Sequence, residues 1–341
     1  MPEQPSANPI SGPRTPRLEA IDLARGVALA AMAVYHFAWD LEFFGYAPPG
    51  MTAEGGWKLF ARAIASSFLF LVGVSLWLAH GHGLRPKPFL RRLATVAAAA
   101  GAISLVTFIA VPNGFIFFGI LHQIALASVL GLAFLRLPAP LTLAVAALAM
   151  AAPHFLRSDI FDHPALWWVG LSSANPRSND YVPLLPWFGA VLAGIAAARM
   201  ARSAGLFARM GRLSLSGWTR PLQWAGRHSL AVYLLHQPVL IGGLWLFAQI
   251  APAADAPREI QFTRSCTVQC EAMHDAGFCG RYCVCVLEGL SAEGRFDEVY
   301  AGTPSDETSR RLQEIVAQCT FEAEFSAGGG DRGDDGSEER E

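Results

Sequence analysis

The chain has 341 residues, 52% of them hydrophobic and only 16% charged, with a mean hydropathy of +0.33. Water-soluble domains carry about 25% charged residues, so this composition argues against an ordinary soluble enzyme and for a chain largely solvated by lipid. The net charge of −2 hides a division: residues 1–257 hold 18 Lys/Arg against 10 Asp/Glu, residues 258–341 hold 8 Arg against 18 Asp/Glu, and all six cysteines lie in the second part.

In chain order, residues 1–16 are Pro/Ser-rich and polar and read as a disordered cytoplasmic N-terminus. No apolar region precedes Ile21, so the first hydrophobic segment is expected to stay in place as a signal anchor. A spanning helix needs about 20 mostly apolar residues. Seven candidates follow, at 21–45, 59–80, 92–111, 115–135, 140–156, 184–204 and 228–250, the fifth being short. The expected fold is therefore an all-α polytopic membrane protein, with about seven transmembrane helices in a domain over residues 17–250. The connections on one side, the N-terminal side included, carry 14 Lys/Arg; the other side carries four, Lys58, Arg62, Arg157 and Arg177. The positive-inside rule then places the N-terminus in the cytoplasm, and seven spans put the tail on the far side. Trp57, Trp167, Trp168 and Trp187 fall near the expected far-side interface, where an amphipathic indole is favoured. The connection 157–183 is expected to lie on that surface.

Residues 251–325 read as a small soluble tail domain, helical over about 304–319 because Thr303-Pro304-Ser305-Asp306 has the form of a helix start. Cys266, Cys270, Cys279, Cys283, Cys285 and Cys319 sit at spacings that match common zinc patterns poorly. They suit disulfides in an oxidising compartment. No metal is expected, Cys283 and Cys285 are too close in sequence to pair with each other, and the connectivity stays open. The Gly/Asp/Glu-rich end, 326–341, reads as disordered.

Ionisable groups at membrane depth are costly and mark candidate sites. The first helix holds Asp22 and Arg25, three apart on one face, and His36 and Asp40, four apart on one face. His36 stands roughly 22 Å above Ile21 at the helical rise, and a neighbouring carboxylate such as Asp40 would orient it and raise its basicity as a general base. His122 in the fourth span and His236 in the last lie within the same band. His236 precedes Gln237-Pro238, where the proline removes a helix hydrogen bond. Asp180 would sit at the far mouth of a cavity shared by the three histidines. Arg25, Arg85, Lys87, Arg91 and Arg92 gather near cytoplasmic helix ends, where arginine can bind phosphate bidentately. Membrane topology alone also produces such a cluster, and the basic residues do not imply nucleic acid.

Four stretches resemble one family. They are Arg17 to Ala28 running on through Met32-Ala-Val-Tyr-His36-Phe-Ala-Trp-Asp40-Leu, then Phe118-Gly-Ile-Leu-His122-Gln, Asp180-Tyr-Val-Pro-Leu-Leu-Pro186-Trp-Phe-Gly189, and Gly226 to Pro238. In order over about residues 17–250 they resemble bacterial heparan-alpha-glucosaminide N-acetyltransferase-like proteins, transmembrane acyltransferases. With the topology read from charge, the expected location is the bacterial inner membrane, multi-pass, with the tail in the periplasm; the tail lies outside the resemblance. The resemblance implies transfer of an acetyl group from cytoplasmic acetyl-CoA to an amine or hydroxyl acceptor, such as a sugar or other small envelope molecule, at the far face. Within it His36, oriented by Asp40, would take the acceptor's proton, and His122 or His236 would polarise the oxyanion or assist proton transfer. In the lysosomal relative the catalytic histidine is associated with the region after the first helix. The Tyr46–Leu59 connection here has none, so the role passes to His36. The alternatives are a proton-coupled transporter and a non-enzymatic envelope anchor for the disulfide-bonded tail. A homo-oligomer is compatible with either.

Overall fold

A computed structural model describes residues 18–328 except 49, 175, 213–215, 254–256 and 272–273. The expected disorder of residues 1–16, and of the acidic end from 329 onward, lies outside the described residues. Among those residues the chain is all helical, with no strand. It divides into two units, residues 1–40 with 51–243, and residues 41–50 with 244–341.

The helices are α1 (Glu19–Phe43), α2 (Gly55–His80), α3 (Pro86–Ala110), α4 (Ile120–Gly131), α5 (Ala139–Phe155), α6 (Leu184–Ser203), α7 (Leu206–Met210), α8 (Arg220–Arg227), α9 (Ser229–Ile250), α10 (Arg258–Cys270), α11 (Ala276–Ala292), α12 (Phe296–Tyr300) and α13 (Asp306–Gly328). Five of them, α1, α2, α3, α6 and α9, are long and apolar enough to cross a membrane. The apolar segments Ile120–Phe134 and Ala139–Phe155 are shorter. The fourth expected span, 115–135, is shortened at its start because other groups take its backbone. Ile116 N–H donates to Thr107 Oγ1, Ser104 Oγ donates to the Ile116 carbonyl, and the Phe118 carbonyl accepts from Val182 N–H. Helix α4 therefore begins only at Ile120.

In the first unit α2, α5 and α6 form the packed centre, with Leu69, Val191 and Leu192 wholly buried. Close approach between α2 and α6 requires glycine: a Cβ on Gly73 would lie 2.0 Å from the Val191 carbonyl oxygen, and one on Gly194 would lie 2.1 Å from that of Phe70. The same device joins α1 to α8. A Cβ on Gly26 would stand 1.9 Å from the Leu222 carbonyl oxygen, and one on Gly226 1.8 Å from that of Asp22. Small residues let helix backbones meet where lipid supplies no hydrophobic drive for association.

In the second unit the six cysteines form three disulfides, Cys266–Cys283, Cys270–Cys279 and Cys285–Cys319. The first two are rungs of a ladder. A C-x3-C spacing puts both sulfurs on one helix face, and antiparallel α10 and α11 offer such faces to each other. The third ties α11 to α13, the helix expected from about 304 to 319 and found to run further, to Gly328. Cys279, Cys283 and Cys319 are buried with Leu290 and Ile315 in this small core.

Candidate functional site

A cavity of about 770 Å³ opens in the first unit among α1, α2, α3, α4, α8 and α9. Its α3 wall is Pro88, Arg91, Arg92, Thr95 and Val96, positions three, four, seven and eight residues apart and so on one helix face. Lys87 comes from the first turn of the same helix, between Pro86 and Pro88, so it brings its ammonium and not a row of free backbone N–H groups. Arg25 and Arg227 complete a ring of five cations, with Ser75, Thr95 and Ser229 as hydroxyls between them. Farther from these groups the lining is apolar, including Phe68, Leu71 and Leu121, and it also includes Tyr233.

Buried Asp22 holds two of the cations. It stands 3.4 Å from Arg25 and 3.5 Å from Arg227, across the glycine-mediated contact of α1 with α8. Arg25 also donates to Ser75 on α2. Of the five basic residues expected to bind a donor, Arg25, Lys87, Arg91 and Arg92 line the cavity. Arg85 does not; it precedes α3 and its backbone N–H donates to His80. Arg227 and Tyr233 line it unforeseen.

Beyond Tyr233 lies a pair of imidazoles. The His36 and His236 rings are 5.0 Å apart between centroids, and the Tyr233 ring is 5.7 Å from that of His236. His36 is eleven residues beyond Arg25 on α1, about 16 Å at the helical rise. His236 Nδ1 lies 2.6 Å from the Tyr233 carbonyl oxygen. A carbonyl only accepts, so Nδ1 carries the hydrogen and Nε2 keeps its lone pair. That Nε2 is buried and has no hydrogen-bond partner among the described residues.

Two sequence expectations change here. Asp40 is wholly buried, yet it does not orient His36: its Oδ1 accepts from Gln237 Nε2 at 2.7 Å, and its Oδ2 has no partner. A shared helix face brings residues i and i+4 near each other, but a partner on another helix took the carboxylate. His122 does not join the other two histidines. Its Nδ1 accepts from Gly119 N–H at 3.2 Å, closing the start of α4, so its Nε2 is the protonated nitrogen facing Ser104 Oγ at 3.2 Å. Both of its nitrogens are occupied locally, as in a histidine that serves packing. Asp180 sits beside it, accepting from Ile120 N–H at 2.9 Å. Burial pushes the Asp180 carboxyl up to about 6 against the lowering effect of that hydrogen bond, and its charge is near enough to act on Tyr233. No group of three or more His, Cys, Asp or Glu among the described residues is arranged to hold a metal ion.

Apolar helices surround a basic cavity, and a half-buried imidazole pair lies next to Tyr233 of its lining. Residues 17–238 match the family model described as heparan-alpha-glucosaminide N-acetyltransferase, catalytic, over well more than half of the chain. The chain belongs to that family. No curated protein and no solved structure matches it. The family match ends at Pro238 in α9, so the disulfide-bonded helices α10 to α13 lie outside it.

Proposed function

We propose that this transmembrane acetyltransferase takes its acetyl group from acetyl-CoA in the basic cavity and passes it to an amine or hydroxyl of a sugar or other small acceptor. The observation that carries the reading is a single continuity: the cavity ringed by Arg25, Lys87, Arg91, Arg92 and Arg227 is also lined by Tyr233, whose ring adjoins His236. The donor's phosphates suit the guanidinium forks and the Lys87 ammonium. Its thioester arm suits the apolar part of the lining, and 770 Å³ falls in the range of ligand pockets, roughly 300–1,000 Å³.

In the proposed step the acceptor's nitrogen or oxygen attacks the thioester carbonyl carbon. The new bond forms to the acetyl group, the carbon–sulfur bond breaks, and coenzyme A leaves as its thiolate. The acceptor's proton passes to His236 Nε2, the unpartnered lone pair of the site. His36, 5.0 Å away between ring centroids, relays the proton to the coenzyme A thiolate, which is released as the thiol. The Tyr233 hydroxyl donates to the developing oxyanion. His36 thus keeps a place in proton transfer, and the base becomes His236.

Seven crossings complete the proposal, with Ile120–Phe134 and Ala139–Phe155 spanning beside the five longer helices. The N-terminus then lies in the cytoplasm and the disulfide-bonded tail in the periplasm of a bacterial inner membrane. Purified protein given acetyl-labelled acetyl-CoA and a panel of hexosamines and polyols should transfer label to an acceptor. Failure both to bind coenzyme A and to release label would sink the reading.

A further inference from the structure

At the height of the imidazole pair, Asp40 on α1 meets Gln237 on α9 in a contact that leaves two atoms over. Gln237 Nε2 donates to Asp40 Oδ1 at 2.7 Å, while Asp40 Oδ2 and Gln237 Oε1 are both buried and both without a partner. Both leftover atoms are acceptors if Asp40 is ionised. Turning the Gln237 amide over would not help, because its oxygen would then face the carboxylate. One proton removes the mismatch. Placed on Oδ2, it makes Asp40 a donor to Oε1 and closes a ring of two hydrogen bonds between acid and amide.

We propose that Asp40 is held as a neutral carboxylic acid in a cyclic pair with Gln237, and that this pair is a positioning clip between α1 and α9. Asp40 is wholly buried, and no cationic side chain among the described residues pairs with it. An isolated charge is costly in such a place, and neutralisation is the usual escape. The titratable groups nearest along the two helices are His36, one turn back on α1, and His236, next to Gln237 on α9. The clip therefore fixes the two imidazoles opposite each other without setting a negative charge beside them. A carboxylate there would stabilise an imidazolium and hold the proton that the base must pass on. The inference does not depend on acetyl transfer, because the same clip would brace this helix pair in a protein with any other activity.

Infrared difference spectroscopy of the full-length protein in lipid tests it, since a protonated carboxyl has a C=O stretch well separated from carboxylate bands. At neutral pH the wild type should show an acid band that shifts in D2O and is lost in Asp40→Asn. The band should move to higher frequency in Gln237→Leu, where the acid loses its amide partner. Any residual acid band from half-buried Asp180 would persist in both variants. Identical acid regions in wild type and Asp40→Asn would overturn the proposal. So would the absence of any aspartic-acid band at neutral pH in wild-type protein labelled with 13C-aspartate, a measurement that needs no variant to fold. A functional readout separates a clip from a charge. Asn at position 40 can rebuild both hydrogen bonds, so Asp40→Asn should keep the acidic limb of the pH–rate profile where it is and lose less turnover than Asp40→Val. Equal losses in the two variants, with the limb displaced, would mean that the negative charge is required.

Discussion

At the scale of single residues, hydrogen-bond partners sort the histidines more sharply than position does. His122 has both nitrogens engaged by Gly119 and Ser104, whereas His236 has one nitrogen bound to a carbonyl and the other bare. His236→Ala should therefore lower turnover about 100-fold or more, the usual contribution of a positioned base, with coenzyme A affinity unchanged because the basic ring is intact. Single-turnover transfer and donor binding, measured on the same preparation, check this. Asp180 makes a separate prediction about pH. Its folded-state value, about 6, lies above the ordinary carboxylate range, so the folded protein holds the proton more tightly than the unfolded chain. The stabilisation is complete below about pH 4 and is lost as pH rises to about 6. Relative to Asp180→Asn, wild-type protein in detergent should lose on the order of 2 kcal/mol of stability across that window. A thermal-melting series from pH 4 to about 7 measures it. From the sequence, histidines and carboxylates are expected at membrane depth. The sequence does not show which would meet: Asp40 and Gln237 are 197 positions apart, and periodicity along one helix could propose only Asp40 with His36.

At the scale of elements, the helices were the most legible feature, because a run of apolar residues long enough for a bilayer has few other solutions. All seven expected segments start within six residues of an observed helix. The fourth helix starts five residues late for a reason no hydropathy window contains: Thr107, Ser104 and Val182 claim the backbone groups of 115–119. Arg227 was missed in the same way. Its place in the cavity depends on α8 lying against α1 through Gly26 and Gly226, and eight residues of polar helix carry no sign of that contact. Gly226→Val should force the two helices apart, since its Cβ would fall 1.8 Å from the Asp22 carbonyl oxygen. We expect overpacking to cost about 1–3 kcal/mol and donor affinity to weaken as Arg227 leaves Asp22. Isothermal titration with coenzyme A reads the affinity. Unchanged binding would remove Arg227 from the donor site.

At the scale of the whole molecule, the chain joins units built on different physics. The first is held by close helix contacts in apolar surroundings; the second encloses a core too small to dispense with cross-links. Cysteine spacing announced the disulfides but not their partners, because six cysteines admit many pairings and the ladder depends on α10 and α11 running antiparallel. The Cys285–Cys319 bridge closes 34 residues of sequence separation. Replacing both cysteines with serine should destabilise the second unit by about 3–4 kcal/mol. Loss of helical signal from that unit at lower denaturant, while the membrane-type helices persist, is the expected result.

The short helix α5 has a consequence for the surrounding lipid. Its 17 residues span about 25 Å at the helical rise, against a hydrocarbon layer of about 30 Å. On the seven-crossing proposal, the bilayer must pinch inward along that flank, at a modest elastic cost for each ångström of mismatch. Pro138 and Pro140 at the start of α5 discourage its extension backward, because a proline inside a helix lacks an N–H and clashes with the preceding turn. The protein would then carry its own thin patch of membrane and favour bilayers of shorter acyl chains. Within such a patch, the insulating layer that separates donor from acceptor is at its narrowest.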